Sequence, residues 1–427
     1  MEFDVQGMRT RPQEYFTTRF GHPEYTSFLD ENLSWKESAY IGDWSFLWQH
    51  RFRGPDVIRL MSDFSVNDYT RFAIGQSKHV IHTNVDGKVI HEGILTKFGE
   101  EDYMLHGRGG FWMKHQLERG DYDATVERED WFIYQVSGPQ AIKILSKLDP
   151  SDEYLDTKFM HVARMTIAGH EIWALRQGMS GEIGFELQGP REIGQEIYDA
   201  VMAAGAEFGI RRMGARIAMV NHLEASYPTI ATDYLPAIFE PSESDYLEFF
   251  LGSMPDNAQP AYIAGSFPGE KISDYYRSPI ELGWSKVVAD REFLGSDALL
   301  AEKANPTRVL RTLVWNAEDV ADVFSSLFRR GPNYTYMEMP RDQWGYMWCD
   351  RVEVDGKLVG STTSRGYSYY FREMLSLCPI DVAHAEPGTE VTIVWGNPGD
   401  PEKRIRATVA PAPYKTDRAR SDLHGAR

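Results

Sequence analysis

The chain has 427 residues, 42% of them hydrophobic, and a formal net charge of −18. That length is too great for one hydrophobic core and implies two or three domains, and the apolar share excludes a disordered chain. The negative charge argues against nucleic-acid and anionic-membrane partners, and two cysteines, Cys349 and Cys378, exclude a disulfide framework and a cysteine-built zinc site.

The N-terminal run has no basic region followed by an apolar stretch, so neither a signal peptide nor a membrane span is expected. The expectation is a cytoplasmic protein, monomer or homodimer. Residues 1–40 read as an irregular arm with a short helix, Leu29 to Ser38. Strands follow at Ile41 to Leu47 and His50 to Arg53. Gly54-Pro55-Asp56 then opens a helix with proline at its first position, and Val57, Leu60, Met61 and Phe64 recur at helical spacing. The pattern returns at Gly138-Pro139, where Ala141, Ile144, Leu145 and Leu148 take the buried face. Two such strand–glycine–helix units suggest an internal duplication and two related lobes across a cleft, where small ligands bind; chance similarity is the alternative.

Between the copies, His79 to Thr83 and Val89 to Lys97 flank an Asp86-Gly87 turn, and Asp102 to His106 is a further strand before a helix, Phe111 to Arg119. A strand from Glu171 to Leu175 leads into Arg176-Gln-Gly-Met-Ser-Gly-Glu-Ile-Gly-Phe-Glu-Leu187, and Arg191 to Phe208 is an amphipathic helix. From Thr229 to about Pro279 a long irregular excursion is expected, then a strand at Leu282 to Val288 and a helix at Gly295 to Lys303. Asn305-Pro306 is a domain boundary. Strands at Val309 to Trp315, Trp348 to Val354, Leu358 to Thr363, Glu390 to Trp395 and Arg404 to Ala410 make a small antiparallel barrel or sandwich. The resulting division is an arm (1–40), a two-lobed catalytic region (41–305), a barrel (306–413) and a frayed tail (414–427).

Gly178, Gly181 and Gly184 let the backbone approach a ligand closely, and Glu182 and Glu186 follow at once. A carboxylate beside bare backbone accepts two N–H bonds from a flat nitrogen heterocycle; an ordinary hairpin with solvated glutamates is the alternative. Glu92, at a strand end, is a candidate general base or cation stabiliser, or else a solvated strand residue. Arg108 in Gly107-Arg-Gly-Gly is a candidate for a bidentate carboxylate contact or a structural ion pair. His79 and His82 lack a third ligand at useful spacing, so no metal site is expected. A phosphate-binding loop, a dinucleotide fingerprint and a serine nucleophile elbow are absent from the sequence.

The run from Arg176 to Glu186 resembles the Arg-x-Gly-Tyr-Thr-Gly-Glu-x-Gly-Phe-Glu signature of the glycine-cleavage T-protein, or aminomethyltransferase, family. Gly138-Pro139, Gly214-Ala-Arg, Leu223-Glu, Glu281-Leu-Gly-Trp, Phe293-Leu-Gly-Ser-Asp-Ala-Leu and Val359-Gly-Ser-Thr-Thr-Ser-Arg-Gly-Tyr-Ser agree in order over about residues 40–410. The resemblance implies an α+β fold, a three-lobed ring with a central folate-type channel and a C-terminal antiparallel β-barrel. Within the family the likeness is strongest to tetrahydrofolate-dependent O-demethylases of lignin-derived methoxy-aromatics. It implies Gln135 and Glu186 against the pterin, with Tyr227 beside the folate. Glu92 then stands near the reacting carbon and Arg108 on an aromatic carboxylate. Trp44, Phe46 and Leu47 replace polar residues of that branch, and Ala218 stands where it has a tyrosine, which implies a rebuilt aromatic pocket. The function expected is transfer of a methyl group from an aryl ether to tetrahydrofolate, with Arg108, Tyr227, Tyr234 and water stabilising the departing phenolate. The alternative is a folate-independent lyase that removes a hydroxymethyl group as formaldehyde from a phenylcoumaran to give a stilbene. A non-enzymatic folate-binding protein ranks below both, because the Lys-Gly-Cys-x-x-Gly-Gln motif of such relatives is missing.

Overall fold

A computed structural model describes residues 4–9, 21–254, 262–341 and 347–427. Of the expected arm, 1–3 and 10–20 lie outside the described residues, as do 255–261 of the expected excursion. Among the described residues the chain forms two compact units. One comprises Glu92–Ala225 and Thr416–Arg427 with residues 21–81; the other comprises His82–His91 and Ser226–Lys415 with residues 4–9.

The first unit is built on two sheets. The six-stranded sheet runs Arg211–Arg212, Tyr40–Asp43, Trp131–Ser137, Gly184–Pro190, His170–Leu175, Val162–Ile167. The five-stranded sheet runs Ser77–Thr83, Val89–Gly99, Asp102–His106, Gln49–Arg53, Thr125–Glu129, its hairpin end at His82–His91 belonging to the other unit. Each sheet packs a pair of helices on one face. Ala141–Leu148 and Gly194–Gly205 bury Ile142, Ile144, Leu145, Ile197 and Val201 against Phe132, Val136, Phe185 and Leu187. Val57–Phe64 and Gly109–Arg119 pack together beside the five-stranded sheet. Burying each of these side chains contributes about 1.5–3 kcal/mol, so the apolar spacing alone commits these helices to one face.

Both strand–glycine–helix units are present. Gly54 and Gly138 adopt φ of +130° and +131°, and a Cβ on them would lie 2.4 Å from the Asp123 carbonyl oxygen and 2.7 Å from that of Ser38. The prolines sit one turn earlier than expected. The helices begin at Val57 and Ala141, whose N–H groups donate to the Gly54 and Gly138 carbonyls to close a turn around the proline.

In the second unit a closed antiparallel barrel runs Arg308–Trp315, Glu373–Asp381, Lys357–Ser368, Asp350–Val354, Glu390–Trp395, Lys403–Ala410. Leu313, Val352, Ile380, Ile393, Trp395 and Ile405 fill its core. The Asp355-Gly356 hairpin has φ of +51° and +76°, the two left-handed residues that a two-residue turn of matching twist requires. The strand Glu373–Asp381 was not foreseen, because it is buried on both faces and shows no alternation, and Pro379 argues against a strand. The helix Ala317–Ser326, capped by Asn316, was also missed. The strand expected at Leu282 to Val288 is instead a turn and the short 3-10 helix Ser285–Val287, because Gly283 at φ +79° reverses the chain and Trp284 N donates to the Pro279 carbonyl. The excursion carries a helix, Ser244–Ser253, that buries Tyr246 and Phe250. No helix of the described residues is long and apolar enough to cross a membrane.

Candidate functional site

Register places the site on the face of the six-stranded sheet opposite Ala141–Leu148 and Gly194–Gly205. Glu186 pairs directly with Gln135, and Gly42 stands on the far side of Gln135. Residues two apart share a face, so Ile133, Gln135 and Ser137 line up with Gly184, Glu186 and Gln188. Gly184 is obligatory here: a Cβ would lie 2.2 Å from both Ser137 Oγ and the Val136 carbonyl oxygen.

Glu186 is buried, and its partners among the described residues are two neutral amides. Gln177 Nε2 donates to Glu186 Oε1 at 2.5 Å and Gln188 Nε2 to Oε2 at 3.2 Å. Burial outweighs these two amides and pushes the carboxyl up to about 7. Gln135 Nε2 donates to Ser137 Oγ at 2.5 Å and to the Gln177 carbonyl at 3.1 Å. Gln135 Oε1 and Gln188 Oε1 are buried acceptors without a protein partner. Buried acceptors of this kind call for a donor from a ligand or water. Tyr40 also faces this row; burial pushes its phenol up, and Asn221 Nδ2 donates to its oxygen at 3.4 Å.

The glycine stretch divides its two carboxylates. Glu182 turns away from this row and pairs with Arg418 at 2.8 Å. The tail expected to fray is tied down here: Arg418 N donates to the Gly181 carbonyl, Arg176 Nη2 to the Ser421 carbonyl, and Leu423 joins the core. Glu182 is therefore structural, and Glu186 alone meets the description of a carboxylate beside bare backbone.

The five-stranded sheet presents a second such face, opposite Gly109–Arg119, which packs on His50. Gln49 and Arg51 pair with His106 and Met104, which pair with Ile94 and Thr96. Glu92 lies two residues before Ile94 on the same face. It is interior to the strand Val89–Gly99 rather than at its end, because the strand runs on through Gly93 into the ladder that pairs Ile94 to Gly99 with Asp102–His106. His79 Nε2 hydrogen-bonds Glu92 Oε2, both side chains being partly exposed, at 15% and 12%. Arg108 precedes the helix Gly109–Arg119, immediately after Gly107, where a Cβ would lie 2.9 Å from the Glu92 carbonyl oxygen. His106 is held down at about 4 by burial and by Arg51, so it is neutral.

These two faces belong to one unit and meet through aromatic side chains. Phe98 packs on Trp173 at 4.7 Å and Trp131 at 5.9 Å, and Arg51 lies over Phe98 at 4.9 Å. Trp44, Phe46 and Leu47 sit on the turn that joins the sheets. The strand expected through Leu47 stops at Asp43, because Asp43 Oδ1 accepts the Ser45 N–H and Leu47 N closes a turn onto the Trp44 carbonyl. Trp44 lies against Phe46 at 5.8 Å and His222 at 5.1 Å. Ala218 is buried one turn before the helix Val220–Glu224 that carries His222. Tyr227 and Tyr234 fall in the other unit, flanking Trp284 at 6.4 and 6.2 Å, with Tyr234 fully buried. Sequence reasoning missed His79, Gln177, Gln188 and His222 as members of the site. Only alternation along Gly184–Pro190, which places Gln188 with Glu186, was a usable signal.

The GCVT N-terminal domain matches residues 2–250. The chain is 30% identical over 424 residues to sesamin methylene transferase of Sinomonas sp. (strain No.22), covering 92% of this chain and 89% of the relative. It is 30% identical over 416 residues to syringate O-demethylase of Sphingobium sp. (strain NBRC 103272 / SYK-6), with the same coverage. Among solved structures, the glycine cleavage system aminomethyltransferase T from Bartonella henselae is similar in fold, with a TM-score of 0.69 at 17% identity over 97% of this chain and 96% of that one. The mixed helix-and-strand architecture and the C-terminal antiparallel barrel expected from the resemblance are both present, the barrel being closed with six strands. The chain belongs to the GCVT, or aminomethyltransferase, family and is an enzyme of one-carbon transfer.

Proposed function

We propose that this enzyme cleaves an aryl ether of a small aromatic compound and delivers the one-carbon unit to tetrahydrofolate. The observation that carries the reading is the row of buried acceptors on the six-stranded sheet. Glu186 and the unshared oxygens of Gln135 and Gln188 form a set that matches the N–H-rich edge of a pterin, whose ring amide and amino group are donors. The relatives named for syringate and sesamin support an aromatic ether as the source of the carbon.

Tetrahydrofolate supplies the nucleophilic nitrogen that accepts the carbon. Glu186 accepts the pterin's donors and fixes the ring, with Gln177 and Gln188 holding the carboxylate in one orientation. Trp44, Phe46 and Leu47 give the aromatic ring an apolar surface, and Arg108 takes a ring carboxylate. The Glu92 backbone lies against Gly107, next to Arg108, and its carboxylate is the anion that would stabilise a cationic carbon.

The test is to incubate the protein with syringate, vanillate or a methylenedioxy-arene, each with and without tetrahydrofolate. Mass spectrometry should find a methyl- or methylene-tetrahydrofolate and the matching phenol. Formaldehyde and a stilbene from a phenylcoumaran, formed without folate, would instead establish the lyase.

A further inference from the structure

We infer that His79, paired with Glu92, is the proton donor that lets the aryl oxygen leave. The inference rests on the ether-cleaving reading above. A phenolate with a conjugate acid near 10 is a poor leaving group at neutral pH, and a positioned acid lowers that barrier.

His79 is placed for this task and the neighbouring imidazoles are not. His50 and His106 are buried in the same sheet and held down to about 3 and about 4, so neither carries a proton to give. His79 is partly exposed, with the Glu92 carboxylate against its Nε2, which fixes the ring and leaves Nδ1 as its other nitrogen. Its strand is clamped at that point. Asn67 Nδ2 donates to the His79 carbonyl at 2.6 Å, and Asn67 Oδ1 accepts the Ile81 N–H at 3.1 Å. The Arg108 backbone follows Gly107 directly across from Glu92, so the group proposed for the aromatic carboxylate and the dyad share one end of the sheet.

The step balances without another reactant. The carbon–oxygen bond breaks and its electron pair stays on the aryl oxygen, while a carbon–nitrogen bond forms at the secondary amine of tetrahydrofolate. With Nε2 held by Glu92, the Nδ1 proton of the imidazolium passes to the oxygen and gives the phenol. The proton shed by the alkylated amine recharges the imidazole. Glu92 holds Nε2 throughout and is not consumed.

The experiment compares wild type, His79→Gln and Glu92→Gln on a methoxybenzoate and on its nitro-substituted analogue, whose phenolate leaves without protonation. His79→Gln should lose about 100-fold in kcat on the first substrate and less than tenfold on the second. Glu92→Gln keeps the imidazole and should show a smaller loss with the same substrate pattern. Tetrahydrofolate affinity, read by tryptophan fluorescence, should stay within twofold for both. Equal losses on the two substrates, or a His79→Gln enzyme as fast as wild type, would exclude His79 as the donor. A wild-type protein that alkylates no tetrahydrofolate with either substrate would remove the ether-cleaving reading and this inference with it.

Discussion

Replacing Glu186 with glutamine keeps the side-chain volume and removes the carboxyl that binds protons differently in the folded and unfolded chain. Unfolded, this group titrates near 4.5; burial raises it to about 7 in the fold. Between those values the unfolded chain has released its proton and the folded chain still holds it. The stabilisation that Glu186 contributes is thus complete below about pH 4.5 and is lost as pH rises through about 7. Over pH 5 to 8 the linkage amounts to about 2.5 kcal/mol. The variant lacks this dependence, and the Gln188 amide can rotate to accept from the new NH₂ because its oxygen has no other partner. Urea unfolding at pH 5, 6, 7 and 8 should show the variant gaining about 2.5 kcal/mol on wild type across that range. A stability difference that stays constant with pH would show that Glu186 is not a desolvated carboxyl, and the ligand argument built on it would fail.

The same titration governs the cofactor. An ionised Glu186 accepts the pterin's donors, so tetrahydrofolate affinity should rise about 20-fold from pH 5.5 to 7.5 in wild type and stay flat in Glu186→Gln, as read by calorimetry. Gly184→Ala should lower stability by about 1–3 kcal/mol and weaken tetrahydrofolate binding, because the new methyl displaces Ser137 and with it Gln135. Gly138→Ala should cost more than about 2 kcal/mol in chemical denaturation, since it joins φ +131° to a clash with the Ser38 carbonyl. Leu423→Ala should cost about 2–5 kcal/mol and raise protease sensitivity around residues 416–427, because that side chain is buried in the core of the six-stranded sheet.

Much of the architecture was written locally. The strand–glycine–helix units were legible because a left-handed glycine and an apolar spacing of three and four act within a dozen residues. The Asp355-Gly356 turn and most barrel strands followed for the same reason, and Gln135 and Glu186 came from the resemblance carried by the glycine stretch. What the tertiary structure alone decided is longer-ranged. Which of Glu182 and Glu186 is left for a ligand depends on Arg418, 236 residues away, capturing the first. The His79–Glu92 pair depends on the register of two strands, and register is invisible in either strand alone. The strand Glu373–Asp381 is buried on both sides, so closing the barrel erases the alternation that would have announced it. Short-range sterics and periodicity set the elements; the pairing of charges and amides across them needed the finished fold, because only burial makes one partner better than water.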